Sequence, residues 1–192
     1  MILGVVRTRV GYCAGEAASP EPDPTYRGVC NDKKYSDYAE TIQLDFDPQL
    51  LSYDDVLDAF FRLHDARSAG RKRQYASIIF THDEKQRESA VAALDAGSHP
   101  ARKGVSTTVE DASDFWDAEP YHQKWILQRK RPLMLALGLT RTDQLLDRPA
   151  AVLNAFAAGR LPAEVAMERL DELMRVGELD PSSHGRVMAQ LQ

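Results

Sequence analysis

The stretch ETIQLDFDPQLLSYDDVLDAFFRLHD, residues 40–65, joins the two periodicities from which the fold is read. In its first part Ile42, Leu44 and Phe46 alternate with Thr41, Gln43 and Asp45, the period of a strand with one apolar face. Pro48 has no amide hydrogen for a ladder and ends that strand. Ser52 is a helix N-cap type with Asp55 three residues on, a variant of the capping box. Val56, Phe60 and Leu63 then recur at helical spacing, with Leu57 and Phe61 widening the apolar stripe. A half-buried strand therefore runs straight into an amphipathic helix.

Working outward, GVVRTRVGY (4–12) is short and β-branched and reads as an earlier strand. YASIIF (75–80) reads as a later one, and Thr81-x-x-Glu84 predicts a capped helix over DEKQRESAVAALDA that Gly97 closes. GVSTTVED (104–111) is a further strand, and FWDAEPYHQKW (115–125) runs into a helix. The order strand, strand, helix, strand, helix, strand, helix predicts an α+β two-layer sandwich with a mixed sheet rather than a regular parallel α/β sheet. After about residue 139, helical patterns at 149–158, 162–176 and 181–190 are punctuated by Gly159, Pro162, Gly177 and Pro181. The expected organisation is a main domain over 1–138 and a helical tail over 139–192.

The chain has 192 residues, 43% of them hydrophobic, and a formal net charge of −5. That is enough apolar material for a core, and the acidic balance argues against a nucleic-acid partner, which would need a basic face. Nothing in the sequence is long and apolar enough to span a bilayer as a helix. Two cysteines are too few for a disulfide-stapled secreted fold, so a reducing compartment is expected, the cytoplasm first. Both cysteines, Cys13 and Cys30, bracket an irregular Gly/Pro-rich connection beside tyrosines. They read either as small hydrophobes or as a thiol site on a loop. His64-Asp65 and His82-Asp83 sit at helix ends, where solvated histidines are ordinary, and no metal site is expected.

Six collinear stretches, GVVRTRVGYCAG, PTYRGVC, YSDYAETIQLDFDP, SYDDVLDAFFRLHD, RQYASIIF and DFWDAEPYHQKW, resemble the A-type peptide methionine sulfoxide reductases over residues 4 to 128. The resemblance implies a ferredoxin-like α/β sandwich and reduction of methionine-S-sulfoxide, free or in oxidised proteins, by thiol chemistry. In that chemistry a thiolate attacks the sulfoxide sulfur and a carboxylic acid protonates the departing oxygen. No cofactor is bound, and thioredoxin or another dithiol is the external reductant. Carried over by motif, Glu40 is the acid, and Tyr12 and Tyr75 are the hydroxyls that hold the oxygen. The plain alternatives are an exposed strand-edge carboxylate for Glu40 and amphipathic core filler for the tyrosines. Phe115, Trp116 and His122 are candidate substrate-binding residues, with packing and helix-start roles as the alternative. Cys13 and Cys30 are candidate redox thiols, Cys13 also a stand-in nucleophile.

The chain departs from the family pattern in two places. The family's Gly-Cys-Phe-Trp nucleophile segment lies upstream of GVVRTRVGY, where this chain has Met1, Ile2 and Leu3. The Asn-Asp loop expected before Gln74-Tyr75 is replaced by SAGRKR (68–73). The expectation is a domain without its first strand and helix, hence impaired in turnover and open to self-association along an uncovered sheet. The incomplete-looking N-terminus also leaves an organelle open as the compartment. The alternative is a non-catalytic relative that binds a sulfoxide or a protein partner.

Overall fold

The computed structural model describes residues 4–15, 22–66, 72–95, 106–139 and 143–192. The strands are β1 (Val5–Cys13), β2 (Ala39–Phe46), β3 (Ile78–Thr81), β4 (Thr108–Asp111) and β5 (Trp116–Asp117). The helices are α1 (Tyr26–Asn31), α2 (Tyr53–Leu63), α3 (Glu84–Asp95), α4 (Trp125–Gln128), α5 (Arg131–Leu137), α6 (Arg148–Ala157), α7 (Ala163–Arg175) and α8 (Pro181–Leu191). The class is α+β. Among the described residues the strands form two small sheets, one ordered β2-β1-β5 and one pairing β3 with β4. β5 is antiparallel to β1, with Tyr12 opposite Trp116, whereas β3 and β4 are parallel, with Ile79 opposite Val109.

The chain divides into two compact units, one of Val10–Ile42 and Asp47–Ala118, the other of Met1–Arg9, Gln43–Phe46 and Glu119–Gln192. In the first, α2 and α3 pack on the β3–β4 pair through Leu57, Phe61, Ile79, Ala90 and Ala93. A second cluster gathers Tyr12, Ala14, Val29, Tyr38 and Ala118, with Trp116 against it. Gly11 allows β5 to approach β1: a Cβ there would meet the Trp116 carbonyl oxygen and lie 2.5 Å from Cζ of Phe115.

In the other unit Leu127, Leu133 and Leu137 share one core with Leu145, Leu153, Leu170, Leu173, Val187 and Leu191. Helices on both sides of position 138 thus build a single core. The three helical patterns of the tail appear as α6, α7 and α8. Gly159 and Gly177, with φ of 66° and 80°, follow the first two, and Pro181 opens the third, the termini that these residue types favour.

Local details depart from expectation where a neighbour outbids the local signal. The α2 capping box is present: Ser52 Oγ accepts from the Asp55 amide at 3.1 Å and Asp55 Oδ2 from the Ser52 amide at 3.2 Å. Its buried face, however, is Leu57, Ala59 and Phe61, and Leu63 is exposed. At α3 the capping place expected of Thr81 is taken by Asp83, which accepts from the Gln86 amide at 2.8 Å, while the Gln86 side chain accepts from the His82 amide. Thr81 is the last residue of β3, and its hydroxyl donates to the Glu110 carbonyl and to Asp111. Residues 73–75 form a 3-10 turn, so the strand expected from Tyr75 begins at Ile78. Trp116 lies in β5 rather than at a helix start. On β2, Ile42 is 60% exposed although it belongs to the apolar face of the alternation, and on β1 Val5 is buried whereas Val6 is 37% exposed. The polar partners on these strands pair across them, Arg9 Nε donating to Gln43 at 2.6 Å and Arg7 Nε to Asp45 at 2.8 Å. Gly97, and the start of the 104–111 pattern, lie outside the described residues.

Candidate active site and family membership

β2 begins at Ala39, which is buried and fixes the strand so that the side chain of its neighbour Glu40 is exposed. α1 is set by its cap, Thr25 Oγ1 accepting from the Gly28 amide at 3.1 Å. Tyr26 and Cys30 are four residues apart on that helix and share one face. The third contributor is the 3-10 turn Arg73–Tyr75, tied down by its Arg. Arg73 donates to both Glu110 oxygens, at 2.7 and 2.6 Å, and to the Asp37 carbonyl. This fork holds the Glu110 carboxyl below its usual range and raises Arg73 in turn.

Gln74, next in the turn, is 5% exposed. Its Nε2 donates to Glu40 Oε1 at 3.2 Å and to Cys30 Sγ at 3.3 Å. The Tyr26 hydroxyl is held above the ordinary phenol range, first by its hydrogen bond with Cys30 and then by the charges of Cys30, Tyr75 and Glu40. One acid, one half-buried thiol, two phenols and an amide are thereby gathered. Chemically the group can bind and protonate an oxygen held between the phenols and the acid.

Of the residues named from sequence, Glu40 and Cys30 meet on the Gln74 amide, and Tyr75, 54% exposed, follows Gln74 in the turn. Tyr12 is 2% exposed and packs in the core with Tyr38 and Val29; the phenol placed with Glu40 and Tyr75 is that of Tyr26. Cys13 is buried and unbridged, its thiol donating to the Ala14 and Ser113 carbonyls at 3.4 and 3.8 Å. Burial foremost pushes that thiol up, against the opposing hydrogen bonding with Ser113 and the charge of Arg73. Phe115 is half-buried with its ring against Gly11, and Trp116 sits on the Tyr12 cluster. His122 belongs to the other compact unit, its Nε2 4.0 Å from Glu119 Oε2 and its ring tilted at 47° against that of Tyr121. Sequence reasoning missed Gln74 and Tyr26. The i, i+4 spacing of Tyr26 and Cys30 was the available signal for the second, and nothing local marked the first. Both ring nitrogens of His64 are engaged, by the Phe60 carbonyl and by Ser77 Oγ. Among the described residues no group of three or more His, Cys, Asp or Glu is placed to hold a metal ion.

A model of the family described as peptide methionine sulfoxide reductase matches residues 1–148. The chain belongs to that family. It is similar to the peptide methionine sulfoxide reductase of Drosophila melanogaster, 35% identical over 158 residues, which cover 81% of this chain and 60% of the relative. It thus spans about three-fifths of that relative's length. Peptide methionine sulfoxide reductase A5 of Arabidopsis thaliana is 31% identical over 187 residues, 92% of this chain and 69% of the relative, so that match extends past residue 148 into the helical segment. Among solved structures, the reduced form of Mxr1 from Saccharomyces cerevisiae matches with a TM-score of 0.56 and 26% identity, covering 67% of this chain and 74% of that one. No helix among the described residues is long and apolar enough to cross a membrane.

Proposed function

We propose that this chain is built to reduce methionine-S-sulfoxide, free or in oxidised proteins, with Glu40 as general acid and the Tyr26 and Tyr75 hydroxyls as hosts of the sulfoxide oxygen. The observation that carries this reading is that the buried Gln74 amide holds both Glu40 and Cys30, with the Tyr26 hydroxyl hydrogen-bonded to Cys30 and Tyr75 next to Gln74 in the turn. In the step we assign, a thiolate attacks the sulfoxide sulfur and Glu40 gives its proton to the oxygen. The sulfoxide's sulfur–oxygen bond breaks as the protonated oxygen passes to the cysteine sulfur, so methionine leaves as the thioether and the cysteine is left as a sulfenic acid. A second thiol expels water to form a disulfide, which thioredoxin or another dithiol reduces. The fold that supports the site is, on this reading, a ferredoxin-like sandwich whose first strand and helix carry the nucleophile.

The attacking thiolate is the part that the described residues supply least well. Cys13 is buried with its thiol pushed up, which opposes thiolate formation. We therefore expect the 192-residue chain made alone to turn over slowly, and the burial of Cys13 also favours the second reading, a relative that binds sulfoxide without reducing it. The deciding experiment measures dithiothreitol-coupled reduction of the separate sulfoxide epimers, by this chain and by a version with the family's strand, Gly-Cys-Phe-Trp and helix placed ahead of Gly4. S-specific turnover in the extended version, falling roughly 10²–10⁴-fold in Glu40→Gln, is expected. A rate indifferent to Glu40→Gln would overturn the assignment of the acid.

A further inference from the structure

We propose that Gln74 is the positioning residue of this site, tying the geometry of the acid to the protonation of the Cys30 thiol. The roles of Glu40 and its neighbours rest on the reading above, but the tie itself rests on geometry. A carboxamide nitrogen carries two hydrogens, and here both are committed, to Glu40 Oε1 at 3.2 Å and to Cys30 Sγ at 3.3 Å. Gln74 is only 5% exposed, so its amide is shielded on its own side, while the Glu40 carboxylate it holds is open to water.

The amide is also on a fixed support. The turn that carries it is closed by the Tyr75 amide on the Lys72 carbonyl and the Ala76 amide on the Arg73 carbonyl, at 3.0 and 2.9 Å. It is anchored further by the Arg73 fork on Glu110 and by Arg73 Nε on the Asp37 carbonyl. Gln74 cannot follow Glu40 if the carboxylate swings away, so it selects one carboxylate position. At the thiol, Gln74 and the Tyr26 hydroxyl are two donors on one sulfur. A donor on the sulfur supports the thiolate as a nucleophile. Removing the amide takes a donor from the carboxylate and from the sulfur at once.

The test is alkylation of the intact chain by iodoacetamide from pH 6 to 9.5, with the label located on Cys30 or Cys13 by peptide mass spectrometry. It requires no turnover, so its failure is distinct from failure of the reductase reading. Cys30 is expected to label faster than the buried Cys13. Gln74→Met keeps length and volume but has no donor. At pH 7 it should slow Cys30 labelling about three- to tenfold and move the midpoint of the profile to higher pH. Gln74→Glu, which sets a further carboxylate against Glu40 and Cys30, should move it further. A space-filling role predicts a wild-type profile in the Met variant. If that variant fails to melt cooperatively, the Glu variant decides alone. A wild-type profile in a folded variant, or Cys30 labelling no faster than Cys13, overturns the proposal.

Discussion

Lys124 offers a quantitative test of how the second compact unit is held together. Its side chain is 8% exposed, and its Nζ donates to the Thr8 carbonyl at 2.6 Å. Burial depresses this ammonium to about 8, with the Asp147 charge opposing the shift. A lysine depressed on folding binds fewer protons in the native chain than in the unfolded one, so stability rises with pH across the window from about 8 to 10.5. Linkage over that window amounts to about 3 kcal/mol in all, of which about 2 kcal/mol accrues between pH 8 and 10. Lys124→Met keeps the apolar stem and removes the titration. Other groups tilt the same pH range: burial pushes Tyr53 up to about 12 and also raises Cys13, so both lower stability at alkaline pH. They are common to both proteins and cancel in the difference. Urea unfolding of wild type and Lys124→Met should therefore give stability curves that diverge by about 2 kcal/mol between pH 8 and 10, wild type gaining. Near pH 7 the two should be close, because the relieved charge burial is offset by the lost hydrogen bond to Thr8. Curves that stay parallel within about 0.5 kcal/mol would refute the burial argument.

Gly11→Ala should cost about 1–3 kcal/mol, because the new methyl meets the Trp116 carbonyl and the Phe115 ring across the β1–β5 pair; chemical unfolding reads it, and a cost near zero would mean that β5 yields freely. Truncation after residue 138 should leave Leu127, Leu133 and Leu137 without their core partners, and the fragment should aggregate in sedimentation where the full chain does not. A monomeric, cooperatively melting 1–138 fragment would show that the shared core is dispensable. Sedimentation of the full chain also tests whether the exposed Ile42 on β2 promotes self-association, and a concentration-independent monomer would exclude it.

What the sequence determined by itself is local. The helical patterns at 149–158, 162–176 and 181–190 emerge as α6, α7 and α8, and the Ser52–Asp55 box caps α2, because caps, glycines and 3.6-residue periodicity act within a turn or two of chain. Glu40 and Tyr75 were legible as motifs, through resemblance to a family rather than through any physical signal in the residues, and that Cys30 shares a partner with Glu40 was not legible at all. Tertiary structure decided the rest. Alternation showed which side chains of β2 share a face but not that Ile42 would stay open, since burial depends on what packs there. Thr81 lost its role at the α3 terminus to Asp83 because its hydroxyl found a partner on β4. Tyr12 and Tyr26 look alike in sequence, and only packing sent one into the core and the other to Glu40. Gln74 meets a carboxylate 34 residues and a thiol 44 residues away in the chain, and such pairings are specified by the assembled fold alone, because no local preference reaches that far.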